Sequence, residues 1–137
     1  MAETILLQIV TPERLVVEEQ VDEVTAPGTL GEFGVLPGHT PFLSSLGIGE
    51  VCYRKGSERH YLSIAWGYSE VEPESVTILA EIAEKAEEID KERAEAARRR
   101  AEKLLAGTEE NVDFERAQAS LQKALVRLQV ASKKLQG

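Results

Sequence analysis

Apolar and polar positions along the chain follow two different periods. Up to about Ala80 they form short β-branched runs: Thr4 to Val10, Arg14 to Gln20, Val21 to Ala26, Glu50 to Tyr53, Arg59 to Trp66, Tyr68 to Glu72 and Ser75 to Ala80. Turn chemistry separates them at Thr11-Pro12-Glu13, Pro27-Gly28, Gly47-Ile48-Gly49, Lys55-Gly56-Ser57 and Glu72-Pro73-Glu74. Short strands with turns at close spacing predict a sandwich or flattened barrel. Ile5-Leu6-Leu7 is apolar at successive positions, which fits strands covered on both faces.

From Glu84 onward Ala, Glu, Lys and Arg dominate, and these are strong helix formers. Ile89, Ala94, Ala97, Ala101, Leu104 and Leu105 fall near one helical face, and Gly107 is read as a terminating glycine. Asn111 or Asp113 then caps a second helix. Phe114, Ala117, Leu121, Ala124, Leu128, Ala131 and Leu135 follow at 3-4 spacing, a heptad seam. The short connection predicts an antiparallel hairpin. A seam rich in alanine buries little apolar area, so this hairpin is expected to be a movable element rather than a static cap.

Gly28 to Pro41 holds four glycines and two prolines in fourteen residues, and a rigid, shaped loop is the direct reading. No Lys-Ser/Thr follows its glycines, which excludes a phosphate-binding P-loop, and the βαβ setting of a dinucleotide fingerprint is missing.

Charge sharpens the division. Residues 1–84 carry 4 bases against 14 acids, net −10, while residues 85–137 carry 12 bases against 10 acids, net +2. The boundary is therefore placed between a domain at 1–84 and a second at 85–137. The overall net charge of −8 argues against a nucleic-acid partner. One cysteine, Cys52, excludes an internal disulfide and a cysteine metal cluster, and fits a reducing compartment. No apolar run reaches the ~20 residues of a membrane span, and Met1-Ala2-Glu3-Thr4 does not read as a secretory signal. No nucleophile–base pair, metal cluster or Walker loop is present, so no catalytic residue is named. A metal at His39, as in small sandwich enzymes, would need more ligands than His39 and His60 supply.

Several segments together resemble the ε subunit of the rotary F-type ATP synthase, called δ in mitochondria. They are Gly31-Glu32-Phe33-Gly34-Val35-Leu36-Pro37-Gly38-His39-Thr40-Pro41, Tyr61-Leu62-Ser63, Gly67-Tyr68-Ser69-Glu70-Val71, Val76-Thr77-Ile78-Leu79-Ala80 and Ile89-Asp90-Lys91-Glu92-Arg93-Ala94. The resemblance covers nearly the whole chain. It implies an all-β N-terminal sandwich of about ten strands followed by an antiparallel helical hairpin. It also implies a non-catalytic central-stalk subunit, peripheral to the membrane on the cytoplasmic face of a bacterial inner membrane, with a plastid thylakoid as the other setting.

The partners it implies are the γ subunit and the c-ring, and the catalytic β subunit when the hairpin extends and blocks ATP hydrolysis. Glu32 is expected at the c-ring contact and His39 toward γ and the ring. Arg98, Arg99, Lys103 and Lys123 are expected on a basic inhibitory face; the alternative is a solvated helix face with pairs such as Glu95–Arg99. No cofactor is implied beyond a regulatory ATP, held by Glu84, Ile89, Asp90, Arg93, Ala94, Arg100 and Arg127. In that reading Asp90 accepts from the adenine amino group, Ile89 and Ala94 contact the base, and the arginines hold phosphates. The alternative for Asp90 is a helix cap, and a stand-alone ATP-sensing module is the competing function. Trp66 stands where the family often has a small residue, and is expected to pack under the hairpin or against γ.

Overall fold

The computed structural model describes residues 3–107 and 113–133. Seven strands come first: β1 Ile5–Val10, β2 Leu15–Val21, β3 Glu23–Gly28, β4 Gly31–Val35, β5 Phe42–Lys55, β6 Glu58–Val71 and β7 Ser75–Lys85. A 3₁₀ turn, Ala86–Glu88, leads into helices α1 Lys91–Ala106 and α2 Phe114–Ala131. The strands form one continuous sheet in the order β2-β1-β7-β6-β5-β3-β4. Every pairing is antiparallel except β1–β7.

The sheet folds over on itself because β2 passes to β3 through the single residue Asp22, whose N–H donates to the Arg54 carbonyl at 2.8 Å. On β2, Glu19 accepts from Tyr53 Oη at 2.7 Å and Lys55 Nζ at 2.9 Å, both on β5. The two layers enclose a core built from alternate positions. Ile5, Leu7 and Ile9 are fully buried on β1 and share one cluster with Val21, Val51, Leu62, Ile64 and Ile78.

Seven strands stand where about ten were expected. Gly47-Ile48-Gly49 and the gap at Gly67 read as breaks but lie inside the 14-residue strands β5 and β6. The β5–β6 ladder steps from Leu46↔Gly67 to Ile48↔Ala65, and the β6–β7 ladder from Gly67↔Ala80 to Ala65↔Ile82. The register is the same on both sides of Trp66, so each ladder skips one pair there and the strand runs on instead of ending. Trp66 takes φ 54° and Gly67 φ 148° at this skipped pair. The expected rigid loop is likewise partly a strand, since β4 pairs with β3 through Gly28↔Gly31 to Val24↔Val35. Only its second half is a loop, pinned where the Gly38 N–H donates to the Pro73 carbonyl at 2.8 Å.

The helix expected from Glu84 begins later. β7 runs to Lys85 because Ala83, Glu84 and Lys85 pair with Ile64, Ser63 and Leu62 of β6, and this pairing overrides helix propensity. Helix α1 starts where Asp90 Oδ1 accepts from the Arg93 N–H at 3.1 Å, and α2 where Asp113 does the same for Arg116. Gly107 follows α1 with extended backbone, φ −78° and ψ 166°, not as a left-handed cap. Asn111 and Leu135 lie outside the described residues. The helices meet through alanines: Ala94 and Ala101 are buried on α1, Ala117, Ala124 and Ala131 on α2. Helix α2 lies on β5 and β6, and α1 packs on α2.

Two carboxylates link this fold to pH. Lys55 and then Tyr53 hold the Glu19 carboxyl below its ordinary 4.5. Arg14, bonded at 2.9 Å, does the same for Glu88. A group whose folded pKa is depressed adds stability above its unfolded value, and that stability is lost as pH falls through the folded value. The melting temperature is therefore expected to hold down to about pH 4.5 and then fall. Glu19→Gln should flatten the fall; an unchanged slope would remove Glu19 from the explanation.

Candidate functional site

A cleft of about 540 Å³ lies between the hairpin and the sandwich. Its sandwich wall is Ser63, Ile64 and Ala65 of β6 with Ile82 and Glu84 of β7. Helical spacing supplies the other walls: Arg93, Ala97, Arg100, Ala101 and Leu104 share one face of α1, and Ser120, Lys123, Ala124 and Arg127 one face of α2. The alanines leave the space, and four cations face one carboxylate. Arg127 donates through Nε to Glu84 Oε1 at 2.7 Å and through Nη2 to Oε2 at 3.3 Å. Lys123 Nζ sits 5.1 Å from the centroid of the Trp66 ring, which settles where Trp66 packs: under the hairpin. Among the described residues, Arg93 and Arg100 have no ion-pair partner. Such a cleft suits an anion with an apolar part, the anion on the arginines and the apolar part against Ile64, Ala65 and Ile82.

Five residues singled out in the sequence thus come together: Glu84, Arg93, Arg100, Lys123 and Arg127. Three do not line the cleft. Ile89 is buried in a second small core with Ala86, Val130 and Ala131. Ala94 is fully buried, and the Asp90 carboxylate caps α1. The basic residues do not form one face either. Arg99 and Lys103 are exposed, whereas Lys123 faces the sandwich. Arg98 is bound by Glu102 at 3.0 Å and by Glu95, so Glu95 pairs three residues on and not with Arg99. That contact holds the Glu95 carboxyl below the usual carboxylate range.

Glu32 is exposed on β4. His39 follows β4, its Nδ1 2.8 Å from the Thr40 carbonyl and its ring 5.3 Å from that of Phe42. His60 instead stacks on Tyr53 at 4.9 Å, on another part of the sheet.

A second feature escaped the sequence reading. Leu15, Leu43, Tyr68 and Leu79 are 52%, 69%, 59% and 53% exposed. Register joins them into one row on the outer sheet, since Ser45 pairs with Tyr68, Tyr68 with Leu79, Leu79 with Val10 and Val10 with Leu15. Leu43 lies two residues before Ser45 on the same face. The signal was the apolar residue at alternate outward positions.

Comparison with known proteins matches residues 4–86 to the ATP synthase delta/epsilon chain β-sandwich domain and residues 87–132 to the long α-helix domain of the same chain. The chain is 56% identical to the ATP synthase epsilon chain of Citrifermentans bemidjiense over 97% of both chains. It is 58% identical to that of Syntrophobacter fumaroxidans over 97% of this chain and 99% of the relative. Among solved structures, a chain of the Euglena gracilis mitochondrial ATP synthase OSCP/F1/c-ring assembly superposes with a TM-score of 0.80 at 25% identity, covering 94% of this chain and 81% of that one. One from the Tetrahymena thermophila mitochondrial ATP synthase central stalk shares the fold, with a TM-score of 0.57 at 14% identity over 94% of each chain. Two domain matches in the same order, with full-length relatives above half identity, place the chain in the ATP synthase delta/epsilon family, the ε chains, which are non-catalytic stalk subunits of the synthase.

Proposed function

We propose that the chain works in the central stalk of a proton-translocating F-type ATP synthase on the cytoplasmic face of a bacterial inner membrane. Its sandwich binds γ and the c-ring and so couples rotor to ring. The observation that supports this reading best is the row Leu15, Leu43, Tyr68 and Leu79. An exposed apolar row on an otherwise acidic domain is stabilised by a partner that covers it. Glu32 and His39, on β4 and the loop after it, are the candidate polar contacts to the ring and γ. A pull-down with γ and the c-ring tests the reading. Capture of both is expected; no capture, together with tight ATP binding, would favour a stand-alone nucleotide-sensing module.

The hairpin is the regulatory part. Docked, it leaves the catalytic head free; extended along γ toward the catalytic β subunit, it blocks hydrolysis, with Arg98, Arg99, Lys103 and Lys123 as its candidate basic contacts. ATP in the basic cleft would touch both helices and the sheet, so it would favour the docked form by mass action. Arg93 and Arg100 are the cations best available for phosphates, because Arg127 is already engaged by Glu84. Arg93→Ala is expected to abolish calorimetric ATP binding by the isolated chain; full retention would sink this assignment.

A further inference from the structure

We propose that three cations of the second helical segment clasp the hairpin to the sandwich, and that ionic strength sets how much of the chain is docked. Lys123 rests over the Trp66 ring, and Arg127 makes its two bonds to Glu84. Lys133 donates to Glu50 at 2.7 Å and stands 4.7 Å from the centroid of the Tyr61 ring. The acceptors sit on all three of β5, β6 and β7. Both ion pairs are sheltered: Arg127 and Glu84 are 22% and 27% exposed, Lys133 and Glu50 25% and 21%. Sheltered pairs with several hydrogen bonds hold better than pairs open to water.

Apolar contact at the same junction is small and one-sided. Val126, Val130 and Ala131 meet Tyr61, Ala86 and Ile89 near the end of α2. Further toward its start, the direct polar contact is Gln122 Nε2 to the Ile48 carbonyl at 3.4 Å, beside Lys123. Trp66 adds an independent observation. A bulky residue at φ 54° is an outlier that persists only where its surroundings hold it. At this left-handed position the indole lies under Lys123. Between residues 1–84 at net −10 and residues 85–137 at net +2, the wider field also favours docking.

This inference rests on the reading that the hairpin leaves the sandwich, and salt separates the two forces. Screening length falls from ~30 Å at 0.01 M to ~3 Å at 1 M salt, which removes the wider field between the two parts and weakens the part-sheltered pairs to a lesser degree. Apolar packing is unchanged or strengthened by excluded salts. Hydrogen exchange of the full chain reads the outcome, because a helix freed from its packing is marginal and opens. Between these two salt levels, α2 amides are expected to exchange about tenfold faster relative to β1 amides. The double variant E50Q/E84Q should exchange at low salt as the wild type does at high salt, and should lose most of the salt response. Protection of α2 that stays constant or rises with salt overturns the clasp, as does an E50Q/E84Q variant docked like the wild type. If the variant does not fold, the wild-type salt series decides alone. Hydrolysis by the assembled synthase is a separate measurement, so a failed clasp and a failed inhibitory role are told apart.

Discussion

Ending the chain at Lys85 should raise ATP hydrolysis by the assembled synthase about fivefold or more, the lower end of typical coupling between sites. The cut must respect β7, whose pairing with β6 runs to Lys85. The main core holds no residue beyond Ala83, so the sandwich keeps its packing. What is lost is the second small cluster around Ala86, Ile89, Val130 and Ala131, together with the hairpin's ion pairs. The truncated chain should therefore remain folded and still capture γ and the c-ring, while hydrolysis is released. Unchanged hydrolysis, measured with the membrane sector detached and nucleotide fixed, would remove the inhibitory role and leave the rotor-binding role standing.

Gly67→Ala is expected to be the most damaging single substitution in the sandwich. Gly67 adopts φ 148°, and a Cβ there would lie 1.9 Å from the Leu79 carbonyl oxygen. No rotamer relieves a clash with backbone; β6 and β7 must separate where Tyr68 pairs with Leu79 and Gly67 with Ala80. Backbone strain and lost pairing together should cost about 3 kcal/mol or more. A substitution such as Gly47→Ala serves as the control, since a Cβ at Gly47 meets nothing within 4 Å. Denaturant unfolding checks both variants, and equal midpoints would show that the backbone at Gly67 is not rigid.

The two-part architecture was legible because each part keeps one period and one composition. β1 is apolar at nearly every position and alternates only in burial, while Ala117, Ala124 and Ala131 of the heptad seam fall on the buried face of α2. Three places were not legible, each for a physical reason. Residues 81–85 have helix-forming composition but lie in a strand, since pairing across a sheet is a non-local term. Gly67 reads as a break, because a positive-φ glycine inside a strand and one in a turn look the same in sequence. The cleft was half legible: cations at helical spacing pointed to one face, but its sandwich wall of Ser63, Ile64, Ala65 and Ile82 depends on how α1 overhangs β6 and β7. Asp90 was ambiguous because one carboxylate suits both a helix cap and a ligand, and the structure places it at the cap.

The most direct test of the swinging hairpin is a distance distribution in the assembled synthase. Spin labels at Ser57→Cys and Leu125→Cys, in a Cys52→Ser background, place one probe at the β5–β6 turn and one on the exposed side of α2. Two separated populations are predicted, with the docked one enriched by ATP. A single distance, the same with and without nucleotide and during hydrolysis, would contradict the account.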